Sequence, residues 1–312
     1  YSVIDGRFVR SVSANLGMSY SICNVLKEAG IENIMRWLPF DMSEKDVGNR
    51  LMNKMIRPTT IPQTLKELIL EHSTAREALR LGLAHHRTIA TRLKGVRVER
   101  TMADLFEQQM EETYVKMPSI DIIVGTGGLL SHAPLRVQSM MVMIDAFQPE
   151  GVTRIFQDSV FMMPHLGVLS TVYKDAAWSI FEKDCLVPVG TVIAPTGTSK
   201  TEGDKVMMVD VEIQGKETVH REVGFGEIEC IPLPSGTEAK VIVDPQRGFD
   251  LGAGSGHKIE DTAMGGVVGL VLDARGRPLE LPADPDTRKG HIMKWINSLN
   301  IYPKKALEEI AD

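Results

Sequence analysis

The residues best suited to hold a ligand form the glycine turn Gly125–Gly128, with the sequence Gly-Thr-Gly-Gly, which follows the apolar run Ile120–Val124. A strand that ends in glycines and continues as a helix lets backbone N–H groups approach a ligand closely. The turn is not a dinucleotide fingerprint, because Leu130 stands where the third glycine should be, and no Lys-Ser/Thr pair follows it as in a phosphate loop. The pattern indicates either a ligand-binding turn or a tight turn without a ligand.

Polar residues beside the turn extend this candidate site. Ser131 is a natural N-cap for a helix that the apolar spacing predicts over residues 131–147. His132 either touches a ligand or caps a backbone group. Further along, Pro164 predicts the start of another helix, and His165 either faces the same cleft or has a capping or core role.

The remaining candidates favour structural roles. His85 and His86 are adjacent on a predicted helix, so they point about a quarter-turn apart and are expected at the surface. The glycine-rich stretch 248–256 (GFDLGAGSG) lacks the lysine of a phosphate loop, which favours a loop or bulge. The spacing of the three cysteines predicts no metal site, and no catalytic set of Ser/His/Asp, Cys/His or paired carboxylates is evident, so catalytic residues stay unidentified.

Composition limits the class of protein. The chain has 312 residues, of which 43% are hydrophobic and 24% are charged, as in a globular protein. A net charge of −6 without a long basic stripe argues against nucleic acid as a partner. No apolar run reaches the ~18–20 residues of a membrane span. Three scattered cysteines fit a reducing cytoplasm.

The chain divides into a mixed α/β part at 1–184, a β-rich part at 185–283 and a C-terminal helical segment at 284–312. The first part begins with alternation around Asp5-Gly6, which predicts a β-hairpin, and turns helical at about 16–117. After Cys185, apolar β-branched runs separated by Gly and Pro predict an antiparallel domain or sandwich. The other predicted elements are a strand at Ile120–Val124, a short strand at Asp158–Met163, a helix from Pro164 through Asp184 and a helix at Asp286–Ile310.

The order of these segments resembles the second lobe of the actin, sugar-kinase and heat-shock-chaperone ATPase superfamily, with its RNase H-like fold. Five segments narrow the resemblance to the glutamate mutase accessory family, the MutL-type proteins that accompany adenosylcobalamin-dependent mutases. They are GTGGLLSHAP (125–134), IDAFQPEGVT (144–153), DSVFMMPHLGVLS (158–170), RGFDLGAGSG (247–256) and GGVVGLVLDARGRPLELP (265–282).

This resemblance implies an ATP-dependent chaperone or reactivating factor for an adenosylcobalamin-dependent mutase of the glutamate mutase or aminomutase type. Such a factor uses ATP or ADP with Mg²⁺ and does not itself bind cobalamin. The implied nucleotide contacts are Gly125, Thr126, Gly127 and Gly128 against adenosine, Ser131 and His132 at the rim, and Asn15 and Gly17 near the phosphates.

Two departures from the family keep other functions open. Asn15 stands where an acidic residue is usual, and an amide cannot act as a general base. The Asp-Gly-rich hairpins that hold phosphates and Mg²⁺ are not visible, so ATPase activity is expected only with a further N-terminal lobe or subunit. The alternatives are a partner-docking module with a degenerate nucleotide site, and a metabolite kinase of the same superfamily.

Overall fold

The computed structural model describes residues 1–91 and 113–311. Its helices are α1 (Ile22–Ala29), α2 (Ile31–Met35), α3 (Glu44–Ile56), α4 (Leu65–Ile89), α5 (Gly128–Ser131), α6 (Arg136–Phe147), α7 (Met163–Leu169), α8 (Lys174–Ile180), α9 (Pro285–Ser298) and α10 (Lys304–Ala311). Its strands are β1 (Ser2–Ile4), β2 (Arg7–Val9), β3 (Ile122–Gly125), β4 (Gly151–Asp158), β5 (Leu186–Ala194), β6 (Lys205–Ile213), β7 (Val219–Gly224), β8 (Ile228–Ile231), β9 (Glu238–Pro245), β10 (Ile259–Met264) and β11 (Gly269–Asp273).

Local sequence signals account for several element ends. Asp5 and Gly6 both have positive φ, 50° and 74°, as a two-residue hairpin turn requires, and they join β1 to β2 as predicted. Gly30, with φ of 83°, ends α1 as a glycine C-cap. A capping box begins α4, in which the Thr64 hydroxyl accepts from the Glu67 N–H while the Glu67 carboxylate accepts from the Thr64 N–H.

A five-stranded mixed sheet in the order β3-β4-β5-β11-β8 forms the middle of the molecule. The pairs β3–β4 and β5–β11 are parallel, while β4–β5 and β11–β8 are antiparallel. A second, four-stranded sheet is antiparallel throughout, in the order β10-β9-β6-β7. The mixed α/β class predicted from the sequence is therefore confirmed.

Helices cover one face of the five-stranded sheet, and the four-stranded sheet covers the other. In β11, Val271 packs with the helices, whereas Leu270 and Leu272 pack with residues of the four-stranded sheet such as Val209 and Val241. Successive side chains of a strand point to opposite faces. Because both faces are covered, all five residues of β11 are buried, which explains its continuous apolar run.

A chain of buried ion pairs joins the helical layer to the five-stranded sheet. Asp145 on α6 accepts from Arg76 of α4 at 2.7 Å and contacts Arg275, which follows β11, at 2.8 Å. Asp273, at the end of β11, pairs with Arg275 at 2.9 Å and with Arg277 at 2.7 Å. All five residues are buried, so the three guanidinium groups and two carboxylates stabilise one another with little help from water.

The structure corrects several predicted elements. The segment Asp158–Met163 is not a strand; β4 ends at Asp158, whose carboxylate instead caps the following helix. The predicted helix from Pro164 through Asp184 is two helices, α7 and α8, with residues 170–173 between them, and a π-helical turn at Phe181–Cys185 continues α8 to the predicted end. The C-terminal helix is likewise interrupted, at Asn300 (φ 50°) and Pro303, because a left-handed residue and a proline cannot continue a helix.

The predicted boundary between residues 184 and 185 falls between β4 and β5, which are hydrogen-bonded neighbours in one sheet. The division into parts at 1–184, 185–283 and 284–312 stays a prediction. Helices α1–α4 lie within the predicted helical subdomain at about 16–117, and the helical prediction for residues 92–112 lies outside the described residues.

Candidate functional site

The glycine turn lies where two parallel strands end side by side. Gly125 of β3 is opposite Gln157 of β4 in the register, so the turn that follows β3 and the loop that follows Asp158 meet at one edge of the sheet. Ligands of open α/β sheets commonly bind outside the carboxyl ends of such strands.

Asp158 ties the two strand ends together. Its Oδ2 accepts a hydrogen bond from the Thr126 hydroxyl at 2.9 Å, and its two carboxylate oxygens accept the N–H groups of Met162 and Met163, each at 2.9 Å. Burial acts to raise the pKa of Asp158, but these backbone N–H groups and the Thr126 hydroxyl outweigh it and hold the pKa below its usual value. Asp158 is therefore an ionised cap of α7 that also orients Thr126.

The three glycines of the turn have different reasons to be glycine. A Cβ at Gly125 would lie 2.5 Å from Sδ of the buried Met143, so a larger residue here would force Met143 to shift in the packing of α6 on β3. Gly127 has φ of 107°, a conformation that other residues rarely adopt. Gly128 has neither constraint, since a Cβ there would meet no atom within 4 Å. Gly128 therefore borders open space that a side chain would fill.

Ser131 is the last residue of α5 rather than an N-cap, because the predicted helix begins only at Arg136, two residues after Pro134. The side chain of Ser131 is buried, with 3% of its surface exposed, and its Oγ has no hydrogen-bond partner in the described part of the chain. His132 is exposed and directly follows α5, where it lies beside the turn as predicted.

Two residues that the sequence analysis did not single out stabilise the turn. Arg136 donates to the carbonyl oxygen of Ser131 at 2.9 Å and to that of Ser159 at 3.1 Å, which joins the end of α5 to the end of β4. Gln157, fully buried, donates its amide to the carbonyl of Leu130, while its Oε1 has no partner among the described residues. Polar residues within an otherwise buried strand were the available signal for Gln157 and Asp158.

Asn15 and Gly17 lie in a different environment. The 3₁₀ turn Ala14–Leu16 packs against α1 and α4, and Asn15 is exposed. The hydrogen bonds of this segment stay local, such as that from the Ser21 hydroxyl to the Ala14 carbonyl. Within the described residues, no hydrogen bond joins Asn15 or Gly17 to the glycine turn, so their place near the phosphates stays a prediction.

The other histidines and the long glycine stretch have structural surroundings. His85 is exposed as predicted, but His86 is buried, and its two ring nitrogens are satisfied by hydrogen bonds with the hydroxyls of Ser11 and Ser2, at 2.7 and 2.9 Å. His165 is exposed on α7. The stretch 248–256 is a loop between β9 and β10, as predicted, in which Asp250 Oδ1 accepts the N–H groups of Gly252 and Gly254.

Across residues 1–91 and 113–311, no group of three or more His, Cys, Asp or Glu side chains is arranged to hold a metal ion. Over the same residues, no helix combines the length and the apolar character needed to cross a membrane.

Comparison with known protein families identifies a related family. A family model described as "MutL protein" matches residues 2–185, which is more than half of the chain and includes the glycine turn, Asp158 and α1–α8. No curated protein and no solved structure matches.

Proposed function

The chain belongs to the MutL family of glutamate mutase accessory proteins, and on that premise we propose that it is the nucleotide-binding part of an ATP-dependent reactivating factor or chaperone for an adenosylcobalamin-dependent mutase. The proposal includes an actin-like ATPase lobe built on β3, β4 and the helices that follow them. It assigns the adenosine contacts to Gly125–Gly128, with Ser131 and His132 at the rim.

The open backbone at Gly127 and Gly128 carries this proposal. Neither position would bring a Cβ within 4 Å of another atom, so the flat face of a nucleoside has room to lie on bare backbone. Two buried polar atoms have no partners in the described residues: Ser131 Oγ, on α5 after the turn, and Gln157 Oε1, near the end of the neighbouring strand β4. Buried polar atoms are normally hydrogen-bonded, which supports a ligand or ordered water at this place.

The described residues fit the nucleoside better than the phosphates. Arg136, the cation of the site, already donates to two carbonyl oxygens, and no metal-binding cluster is present in the described ranges. We therefore propose that groups binding phosphate and Mg²⁺ come from a second lobe or subunit. The outer edge of β3 is suited to such an addition, because among the described residues β3 is the end strand of its sheet, and its Ile122 and Val124 are exposed.

The connections of α6 support a role in transmitting a change at the turn. This helix follows the glycine turn and carries Asp145, which is bound on one side to Arg76 of α4 and on the other to Arg275. Binding and hydrolysis of ATP supply the free energy for opening the partner mutase. This requires that the nucleotide have different affinities for two conformations of the factor. No contact between this chain and cobalamin is part of the proposal.

The test is calorimetric titration of ATP and ADP, each with Mg²⁺, into the chain and into Gly128→Val. Gly128 is a better position than Gly127, where φ of 107° would strain any valine regardless of a ligand. The matched control is Gly290→Val on α9, where a Cβ also meets no atom within 4 Å. We expect Gly128→Val to abolish binding and Gly290→Val to leave it intact. Equal affinity in the two variants would contradict the adenosine turn.

A second function, a partner-docking module with a degenerate nucleotide site, has its own support. Helices α7 and α8 and the connection between them expose several large apolar side chains, namely Val168, Val172, Tyr173 and Trp178. Such a surface is typical of protein interaction sites. Binding of the mutase by a chain that binds neither ATP nor ADP would favour this alternative.

A further inference from the structure

Phe161 has an unusual backbone and an unusual exposure at once. Its φ is 65°, and the other described non-glycine residues with positive φ are Asp5, Gln148 and Asn300, which are all polar. Left-handed backbone is unfavourable for a bulky residue, whereas Asn and Asp tolerate it. Phe161 is also only partly buried, since 43% of its surface is exposed.

The surrounding backbone holds Phe161 in this conformation. Met162 and Met163, which follow it, donate their N–H groups to the Asp158 carboxylate. Ser159, which precedes it, donates its N–H to the Cys185 carbonyl and its hydroxyl to the Asp184 carbonyl, both at 2.8 Å. The loop is therefore anchored on both sides of an exposed aromatic ring. Strain that a structure maintains in this way is frequent at ligand-binding sites.

The position of Phe161 relates it to the glycine turn. It follows Asp158 by three residues, so its Cα lies at most about 11 Å from that of Asp158. Asp158 is hydrogen-bonded to Thr126 of the turn. Val160, exposed to 52%, lies in the same loop and adds apolar surface. The open backbone of Gly127 and Gly128 and the Phe161 loop thus belong to the same edge of the sheet.

We propose that Phe161 is the stacking platform for the purine base of the nucleotide whose ribose side lies on the glycine turn. This inference rests on the proposed function and adds the residue that recognises the base. A partly exposed aromatic ring offers a flat apolar face to a ligand, and a purine has the shape and polarity to cover it. The exposed side chains of α7 and α8 form a less specific surface, without the backbone strain that singles out Phe161.

The experiment compares nucleotide affinity and thermal stability in the 312-residue chain and four variants. Phe161→Leu removes the ring but stays apolar, Phe161→Tyr keeps the ring, and Phe161→Asn suits the left-handed backbone. The matched control is Trp178→Leu, which removes an exposed aromatic side chain from α8. ATP and adenosine are titrated by calorimetry into each variant, and the thermal midpoint is measured without ligand.

We expect Phe161→Leu to weaken ATP and adenosine by at least about five-fold, the low end of base–aromatic stacking. Phe161→Tyr and Trp178→Leu should bind as the unaltered chain does. Phe161→Asn should lose affinity while its thermal midpoint stays the same or rises, because the backbone strain is relieved. A merely structural phenylalanine would instead lower the midpoint when replaced.

Three results would overturn the inference. If the unaltered chain binds ATP and Phe161→Leu binds it equally well, the stacking role is wrong and the proposed function stands. If Trp178→Leu loses as much affinity as Phe161→Leu, the effect belongs to the apolar surface of α7 and α8 in general. If the unaltered chain binds neither ATP nor adenosine, both this inference and the proposed function fail.

Discussion

Replacement of Asp145 by asparagine removes the central negative charge of the buried ion chain. Only 3% of the Asp145 side chain is exposed, and its carboxylate lies 2.7 Å from Arg76 Nε and 2.8 Å from Arg275 Nη1. Arg275 retains its pairing with Asp273, but Arg76 loses the carboxylate that faces it. The variant therefore leaves a buried guanidinium without an ionic partner in this cluster, while the size of the side chain hardly changes.

The expected cost follows from this burial. Breaking a buried ion pair from one side costs about 3–5 kcal/mol, against a total free energy of unfolding of about 5–15 kcal/mol. For a 312-residue protein that unfolds as one unit, this corresponds to a lowering of the thermal midpoint by roughly 5–8 °C. The control is Glu222→Gln, which breaks the exposed pair with Lys205 and should cost less than about 1 kcal/mol.

Urea unfolding at pH 7 measures both variants, with Arg76→Met and the Arg76→Met/Asp145→Asn double variant completing a thermodynamic cycle. Because the double variant removes both charges of one pair, we expect it to cost less than the sum of the single variants. The reasoning is refuted if Asp145→Asn costs no more than Glu222→Gln, or if the single costs of Arg76 and Asp145 simply add.

Three further predictions concern pH and the turn. Burial and, secondarily, Arg76 lower the pKa of His72 to about 3, so the folded state binds fewer protons than the unfolded state between about pH 3 and 6.5. The free energy of unfolding should therefore fall by up to about 1.4 kcal/mol per pH unit on acidification through this range. His72→Gln should flatten this pH profile, which urea unfolding measures. Gly125→Ala should lower stability by about 1–3 kcal/mol through overpacking against Met143, whereas Gly128→Ala should change it by less than about 1 kcal/mol. Equal costs of the two variants would contradict the packing role of Gly125. Asp158→Asn should lower the free energy of unfolding by about 1–3 kcal/mol at pH 7. Because the pKa of Asp158 is lowered, this difference in stability from the unaltered chain should shrink as the pH falls below about 4. A constant difference down to about pH 2 would argue against an ionised cap.

Much of the local structure was predictable because its signals lie close together in the sequence. Asp5-Gly6 specifies the hairpin turn, Gly30 ends α1, and the run Ile120–Val124 followed by glycines specifies the strand and turn of the candidate site. The family was also recognisable from several sequence segments that occur in a fixed order, and the family model matches residues 2–185.

Other features depend on residues that are distant in the chain. The residues of β4 include polar Thr153, Gln157 and Asp158, whose burial depends on partners contributed by other segments, so alternation alone did not reveal the strand. Arg136 joins the site only because β3 and β4 end side by side. The buried histidine at position 86 depends on hydroxyls from the first residues of the chain, which no local pattern indicates.

The sequence by itself determined which residues form the glycine turn, since a turn requires particular residues at consecutive positions. Only the tertiary structure decided that a Cβ at Gly125 would clash with Met143, whereas Gly128 borders open space. It also decided that Asp158 hydrogen-bonds Thr126 and that Phe161 is partly exposed. The physical reason is that steric room, burial and hydrogen-bond partners are set by the pairing of β3 with β4 and the packing of α6, which join segments far apart in the chain.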